Sequence, residues 1–216
     1  MSLAVVIPAF NTGPALPALL ARLPAGLQVF VVDDGSELPV AAPGHRVLRH
    51  PHNRGYGAAQ KTGYDAALAA GAERVVLLHG DDQYDLDATL GLADALDEAD
   101  AVLGSRFLAD PSVIPGWRRV ANRGLTSLAN WRFGVHHSEL HTGARAFRTS
   151  LLKTVDYSSF SDDYLFDQEL LVALLRRKVR IAERPVPTRY TPGVQSISFR
   201  RSVSYGLGCV RVILRG

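Results

Sequence analysis

Short apolar runs at residues 3–7, 28–32 and 74–78, with a weaker one at 46–50, are separated by Ala- and Leu-rich stretches of helical length. Strands joined by helices long enough to cross a sheet pair in parallel, so this alternation constrains the fold more than any other feature. Helices are expected over 14–22, with Pro14 suited to the first turn, over 58–70 after the glycine-bearing loop 53–57, and over 86–96; a strand follows at 101–103. The second half is less regular. It predicts an amphipathic helix over 118–133, a strand over 142–147, a helix over 165–177, and a strand over 179–189 that Pro185 and Pro187 confine to a sheet edge. The expected class is α/β, a mostly parallel central sheet flanked by helices. One domain over 1–197 with an amphipathic extension over 198–216 is the simplest partition, and 216 residues suffice for one core.

Several function classes fall away at this level. A net charge of +3 and a pI near 9.2 are too mild for a nucleic-acid binder. A single cysteine, Cys209, forbids an internal disulfide, and with no signal-peptide pattern the expected location is cytoplasmic. No stretch approaches the ~20 apolar residues of a membrane span, although the 198–214 tail has the pattern of a helix that lies on a membrane surface or packs as a last core helix.

In open α/β sheets, ligands bind beyond the carboxyl ends of the strands. The residues at those positions here are Pro8, Ala9 and Asn11, then Asp33 and Asp34, then Asn53, Arg54 and Gly55, and finally the cluster His79, Asp81, Asp82, Gln83 and Asp85. If the first, second and fourth strands are neighbours, these groups converge on one crevice. Asp33 and Asp34 have the chemistry to read ribose hydroxyls or a base N–H, or else to form a turn with Gly35. NRGYGAAQKTGY presents backbone N–H groups at a helix start, a setting for anions, but contains no Walker or dinucleotide fingerprint. Hard divalent cations take one or two carboxylates together with substrate phosphates, so the acidic cluster suits a metal gripping a phosphorylated ligand; a solvated turn is the alternative.

The ordered segments VVIPAFN, VVDDGS, HNRGYGAAQKTGY, LLHGDDQYD, GSRF, ELHTGARAF and FDQELL followed by ERPVPTRY resemble family-2 glycosyltransferases of the GT-A fold, most nearly the polyprenyl-phosphate sugar transferases. The resemblance covers residues 5–199. It implies that Pro8, Ala9 and Asn11 with Asp33 and Asp34 hold the donor nucleotide, Asp34 foremost. It also implies Asp81 as a metal ligand, with Gln83 following. His79 stands where the family usually has its first aspartate, which makes it either a metal contact that shifts preference toward Mn²⁺ or a contact to the diphosphate alone. Asp82 is a weaker donor-site candidate, because successive side chains of an extended segment point apart.

The same resemblance implies an inverting transfer of a sugar from a GDP-mannose or UDP-hexose type donor to a polyprenyl phosphate, with a divalent cation, by a protein peripheral at the inner membrane face. It nominates Asp167, Glu139 and Glu169 as base or sugar-orienting groups. Arg118, Arg119, Arg123, Arg145, Arg189, Arg200 and Arg201 become candidates for an acceptor-phosphate rim. The family's acceptor loop often ends in Ser-Lys, and here the stretch reads Ser196, Ile197, Ser198, Phe199, Arg200. Two alternatives remain: a family-2 enzyme with a hydroxyl acceptor, and a nucleotide-sugar binding protein without turnover. Nothing in the sequence specifies the oligomeric state.

Overall fold

The computed structural model describes residues 2–189 and 199–216, with side chains given from 202 in the second stretch. Seven strands form one sheet in the order β3-β2-β1-β4-β6-β5-β7. β1 (Leu3–Ala9), β2 (Gln28–Asp33), β3 (Arg46–Arg49) and β4 (Arg74–Leu77) make the parallel half. Both faces of this half are covered, which is why its strands read as continuous apolar runs. Val6, Phe30, Val75 and Leu77 pack under α2 (Tyr56–Ala69) and α6 (Phe166–Arg176). Val5, Ile7, Val29 and Val31 alternate with them and pack on α1 (Ala15–Leu20). Each such fully buried side chain contributes about 1.5–3 kcal/mol.

The other half departs from a parallel pattern. β6 (Arg145–Arg148) runs antiparallel to both β4 and β5 (Ala101–Ser105), with Arg145 opposite Leu77 and Leu103. The segment preceding β6 therefore lies at the edge where β4 and β5 end. β7 (Ile181–Pro185) is parallel to β5 and is the edge strand, where the prolines of this stretch cost no ladder bond. The helix expected over 86–96 is instead α3 (Leu86–Leu90) continued by a 3-10 segment, Gly91–Asp97. The tighter winding eclipses residues three apart, and Leu92 and Ala95 are both buried there against Val76, Val102 and Ala146. α4 (Gly116–Phe133), the short α5 (Thr149–Leu152) and α7 (Phe199–Arg215) complete the chain. Cys209 and Ile213 of α7 are fully buried, Ile213 against Leu103, Ala129 and Leu171, so this last helix is seated on the core of the same domain.

Candidate active site

β2, β1 and β4 are neighbours, and the loops at their carboxyl ends are tied to one another. Asn11, at φ +50, accepts the Glu37 N–H at 3.0 Å through its side chain and donates its own N–H to Ser36 Oγ at 3.0 Å. Asp34 is buried and accepts the N–H groups of Arg54 and Gly55, each at 2.9 Å, while His50 Nδ1 lies 2.6 Å from the same carboxylate. His50 in turn meets Thr62 Oγ1 at 2.9 Å. Asp34 thus fixes the loop that leads into α2. Gly55 sits at φ +109 against the Asp162 carbonyl, in a space and a conformation that no side chain fits. Asn53 and the Arg54 side chain are exposed at the mouth, as is Asn11, while Pro8 is half-buried and Ala9 buried.

Asp33 has another task. Its oxygens accept from Ser36 N–H at 2.9 Å and Val40 N–H at 3.2 Å, and Arg49 pairs with it. Burial alone would raise its pKa, but the bonds from Ser36 and Val40 and the Arg49 charge outweigh burial and hold the carboxyl below its ordinary value. With no exposed surface, Asp33 braces the turn after β2 from within.

The loop after β4 divides its side chains. His79 packs between Tyr56 and Tyr84, with ring centroids 5.5 and 5.2 Å away, and its Nε2 is 2.8 Å from the Tyr56 hydroxyl. Gly143 lies over the imidazole so closely that a Cβ there would overlap His79 Nε2. Tyr84 completes the bracket by accepting the Gly143 N–H at 2.9 Å. Asp81 is half-buried, and its Oδ1 accepts the Gln83 N–H at 3.2 Å. Asp82, at φ +56, turns away to pair with Arg22 beyond α1. The Gln83 carbonyl accepts the Arg189 N–H at 2.7 Å, and Asp85 N–H donates to the Pro187 carbonyl at 2.9 Å, so the acidic loop is sewn to the strand-like end of 186–189.

Among the described residues no group of three or more His, Cys, Asp and Glu is placed to hold a metal ion. One carboxylate, a neighbouring amide and ligand phosphates make an all-oxygen donor set that fits Mg²⁺ or Mn²⁺, and Asp81 and Gln83 are the residues of this loop with the chemistry to supply the protein's part. His79 offers less, because Tyr56 already engages its Nε2.

The three nominated carboxylates all have internal partners. Glu139 is fully buried; Arg106 grips it through its backbone N–H at 2.8 Å and its Nε at 2.8 Å, and Asn122 adds a bond at 3.5 Å. Glu183 holds the backbone beneath, accepting Ser138 N–H at 2.8 Å and Glu139 N–H at 3.0 Å. Asp167 is buried at the start of α6, accepts from Gln60 Nε2 at 2.9 Å and faces the fully buried Arg145 at 3.9 Å. Arg145 also donates to the Asp167 carbonyl at 2.8 Å and to the Thr142 carbonyl at 2.9 Å. Glu169 accepts the Ser161 N–H at 2.6 Å and caps that loop. On α4, Arg118 stacks on Trp117 and Arg123 on Phe107. The Arg200 and Arg201 side chains, and residues 190–198 with Ser196 and Ser198, lie outside the described residues.

His50, Tyr56, Tyr84, Arg106 and Glu183 are absent from the sequence-derived site. Tyr56, Tyr84, Arg106 and Glu183 lie inside the motif segments, and that is the only signal they gave; His50 lies outside them. His141 is a further addition. Neither of its ring nitrogens has a partner, and Tyr205 of α7 meets it edge-to-face at 6.4 Å. Burial, reinforced by Arg145 and Arg106, pushes its pKa down to about 3. The folded protein therefore keeps this imidazole neutral, whereas the unfolded chain takes up a proton near pH 6.5. Stability should be fully present above about pH 6.5 and fall as pH drops toward 3. The urea midpoint of wild type is expected to fall relative to that of His141→Leu between pH 7 and pH 5. Parallel profiles would show that the buried imidazole does not titrate in this way.

Residues 4–156 match the model of glycosyl transferase family 2. The chain belongs to that family. Among its relatives is the polyprenol monophosphomannose synthase of Mycolicibacterium smegmatis, 29% identical over 212 residues that cover 90% of this chain and 80% of that protein. The dolichyl-phosphate hexose transferase of Haloferax volcanii is 29% identical over 221 residues, covering 98% and 94%. Glucosyl-3-phosphoglycerate synthase from Mycobacterium tuberculosis, solved with phosphoglyceric acid, superposes with a TM-score of 0.74 at 18% identity over 99% of this chain and 79% of that one. The same enzyme has been solved with Mn²⁺, UDP and glucosyl-3-phosphoglycerate, with a TM-score of 0.70. This glycosyltransferase therefore has the GT-A fold that its motif order implied.

Proposed function

We propose that this family-2 enzyme transfers a sugar from a nucleotide-diphosphate sugar to a polyprenyl phosphate, with inversion at the anomeric carbon, while peripheral to a membrane surface. The observation that carries the acceptor class is the state of the carboxylates. A hydroxyl acceptor needs a base, yet Glu139, Asp167 and Glu169 are each held by internal donors. A phosphate acceptor is already anionic and needs none. The relatives named for polyprenol and dolichyl phosphates point the same way.

In this reading Asn11, Asn53, Arg54 and Gly55 line the donor nucleotide's cleft, and Asp34 acts by holding the 52–55 loop in place. Asp81 and Gln83 would hold a divalent cation together with the donor diphosphate; when bound, the cation would supply charge neutralisation for the leaving group. His79, fixed by Tyr56 and Gly143, keeps the loop after β4 in register. Arg106–Glu139 and Arg145–Asp167 are positioning pairs behind the acceptor side.

The test uses purified protein with Mn²⁺ or Mg²⁺, a panel of UDP- and GDP-sugars and a polyprenyl phosphate, with released nucleoside diphosphate as the readout. Release is expected for at least one donor. If no donor gives more release than the Asp81→Ala control, the reading fails.

A further inference from the structure

β3 is the edge strand beside β2, four residues long, and its side chains are mostly exposed. Residues 51–54, which follow it, are exposed as well, so burial contributes little to holding this loop. His50 is the exception. It is buried, and it is tied through both its backbone and its ring. Its N–H donates to the Asp33 carbonyl at 2.9 Å, which carries the β2 ladder one residue past β3. Its ring bridges two other elements: Nδ1 is 2.6 Å from Asp34 Oδ1, just after β2, and Nε2 is 2.9 Å from Thr62 Oγ1, in α2.

A carboxylate only accepts, so the proton facing Asp34 sits on Nδ1, and the Thr62 hydroxyl, able to donate or accept, completes Nε2. Both ring nitrogens are thereby committed, which fixes the orientation of the imidazole. That orientation matters for Asp34, whose two oxygens divide three donors. Oδ1 takes the His50 Nδ1–H and the Arg54 N–H, and Oδ2 takes the Gly55 N–H. His50 thus stops the carboxylate from rotating, and the carboxylate sets where residues 54 and 55 stand. Gly35, at φ +74, lies so close to the same loop that a Cβ would fall 2.4 Å from the His52 carbonyl carbon. The turn after β2 and the loop after β3 therefore form one wall, on which Asn53 and the Arg54 side chain are exposed.

We propose that His50 is a positioning residue for the donor cleft: through Asp34 it holds the 52–55 loop in the shape that receives a nucleoside diphosphate. The proposal rests on the reading that Asn53, Arg54 and Gly55 line that cleft, and it adds the group that sets their place. The His50 ring is enclosed behind the wall. It therefore acts on donor binding and not on the transfer step.

Two amide substitutions separate this role from simple space filling. An asparagine N–H reaches the place of the histidine Nδ1–H, and a glutamine amide reaches the place of Nε2, so His50→Asn keeps the Asp34 contact and His50→Gln keeps the Thr62 contact. Both remove the ring, so a merely structural role would register equally in the two. In the full chain with Mn²⁺, titrated with UDP and with GDP, His50→Gln should weaken whichever nucleotide wild type binds by up to about 10²-fold, the loss that a misplacement of about 1 Å can cause. His50→Asn should recover most of that loss. In turnover with a polyprenyl phosphate, the defect of His50→Gln should fall on the donor KM, with kcat at saturating donor largely kept. The Arg54 and Gly55 amide hydrogens, read without any ligand, should exchange faster in His50→Gln than in His50→Asn. Equal weakening in both variants, with equal drops in melting temperature, makes His50 a space-filling residue and overturns the proposal, as does a loss confined to kcat. Amides that exchange alike in the two variants show that Asp34 holds the loop unaided; they overturn the proposal, while nucleotide binding by wild type leaves the functional reading intact. If wild type binds neither nucleotide but the two amides still exchange faster in His50→Gln, the tie from His50 to the loop is supported and the donor-cleft reading falls.

Discussion

Asp81→Asn is expected to lower sugar transfer by on the order of 10²–10³-fold, the range seen when a group that stabilises developing charge is removed. The fold should survive. Asp81 is half-buried at the mouth of the site, and its bond from the Gln83 N–H can be accepted by an asparagine oxygen as well. A thermal melt should therefore shift little while turnover at saturating donor collapses. The neighbouring Asp82→Asn supplies the comparison: it loses only a partly exposed pair with Arg22, for about 0–1 kcal/mol, and should keep its activity. If the two variants lose activity equally, Asp81 has no special place at the diphosphate.

Asp167→Ala is expected to have the larger effect on stability, about 3–5 kcal/mol, because it leaves the fully buried Arg145 guanidinium without its carboxylate. Gln60 loses its acceptor at the same stroke, and the Tyr64 hydroxyl that donates to Gln60 at 2.8 Å is disturbed with it. Asp167→Asn separates positioning from proton transfer. Asparagine can still accept from Gln60 but carries no charge and is no base. If Asp167 only positions Arg145, the variant should show a lowered urea midpoint with most of its turnover retained. Abolished turnover with an unchanged midpoint would make Asp167 the base and reopen the hydroxyl-acceptor reading.

The legible part of the molecule was the part in which local pattern determines environment. β1, β2 and β4 are apolar on both faces, and their ends can be read from the sequence, so Asp34, Asp81 and the 53–55 loop were located at the carboxyl edge of the sheet. Partner choice was not legible. Glu139 and Asp167 stood out as acids within motifs, but Arg106 is 33 residues from Glu139 and Gln60 is 107 residues from Asp167, and nothing local signals those bonds. The same holds for Asp33 and Asp34, which look interchangeable in sequence. One braces its own turn through Ser36, and the other reaches across to Arg54 and Gly55. The 3-10 winding of Gly91–Asp97 escaped for a related reason, since its apolar spacing also suits an α-helix and the sheet beneath it makes the choice.

The reversed strand β6 divides the site by the chain direction of its walls. On the proposed reading, donor-side groups follow the ends of β1, β2 and β4, where a change in loop length must also carry the next crossover helix. Residues 137–143 precede a strand and reach the same edge from the opposite direction. Insertions or deletions at 134–137, between α4 and this segment, would alter the acceptor wall while every donor loop kept its length. The architecture, on that reading, lets the acceptor side vary in length while the donor side stays fixed.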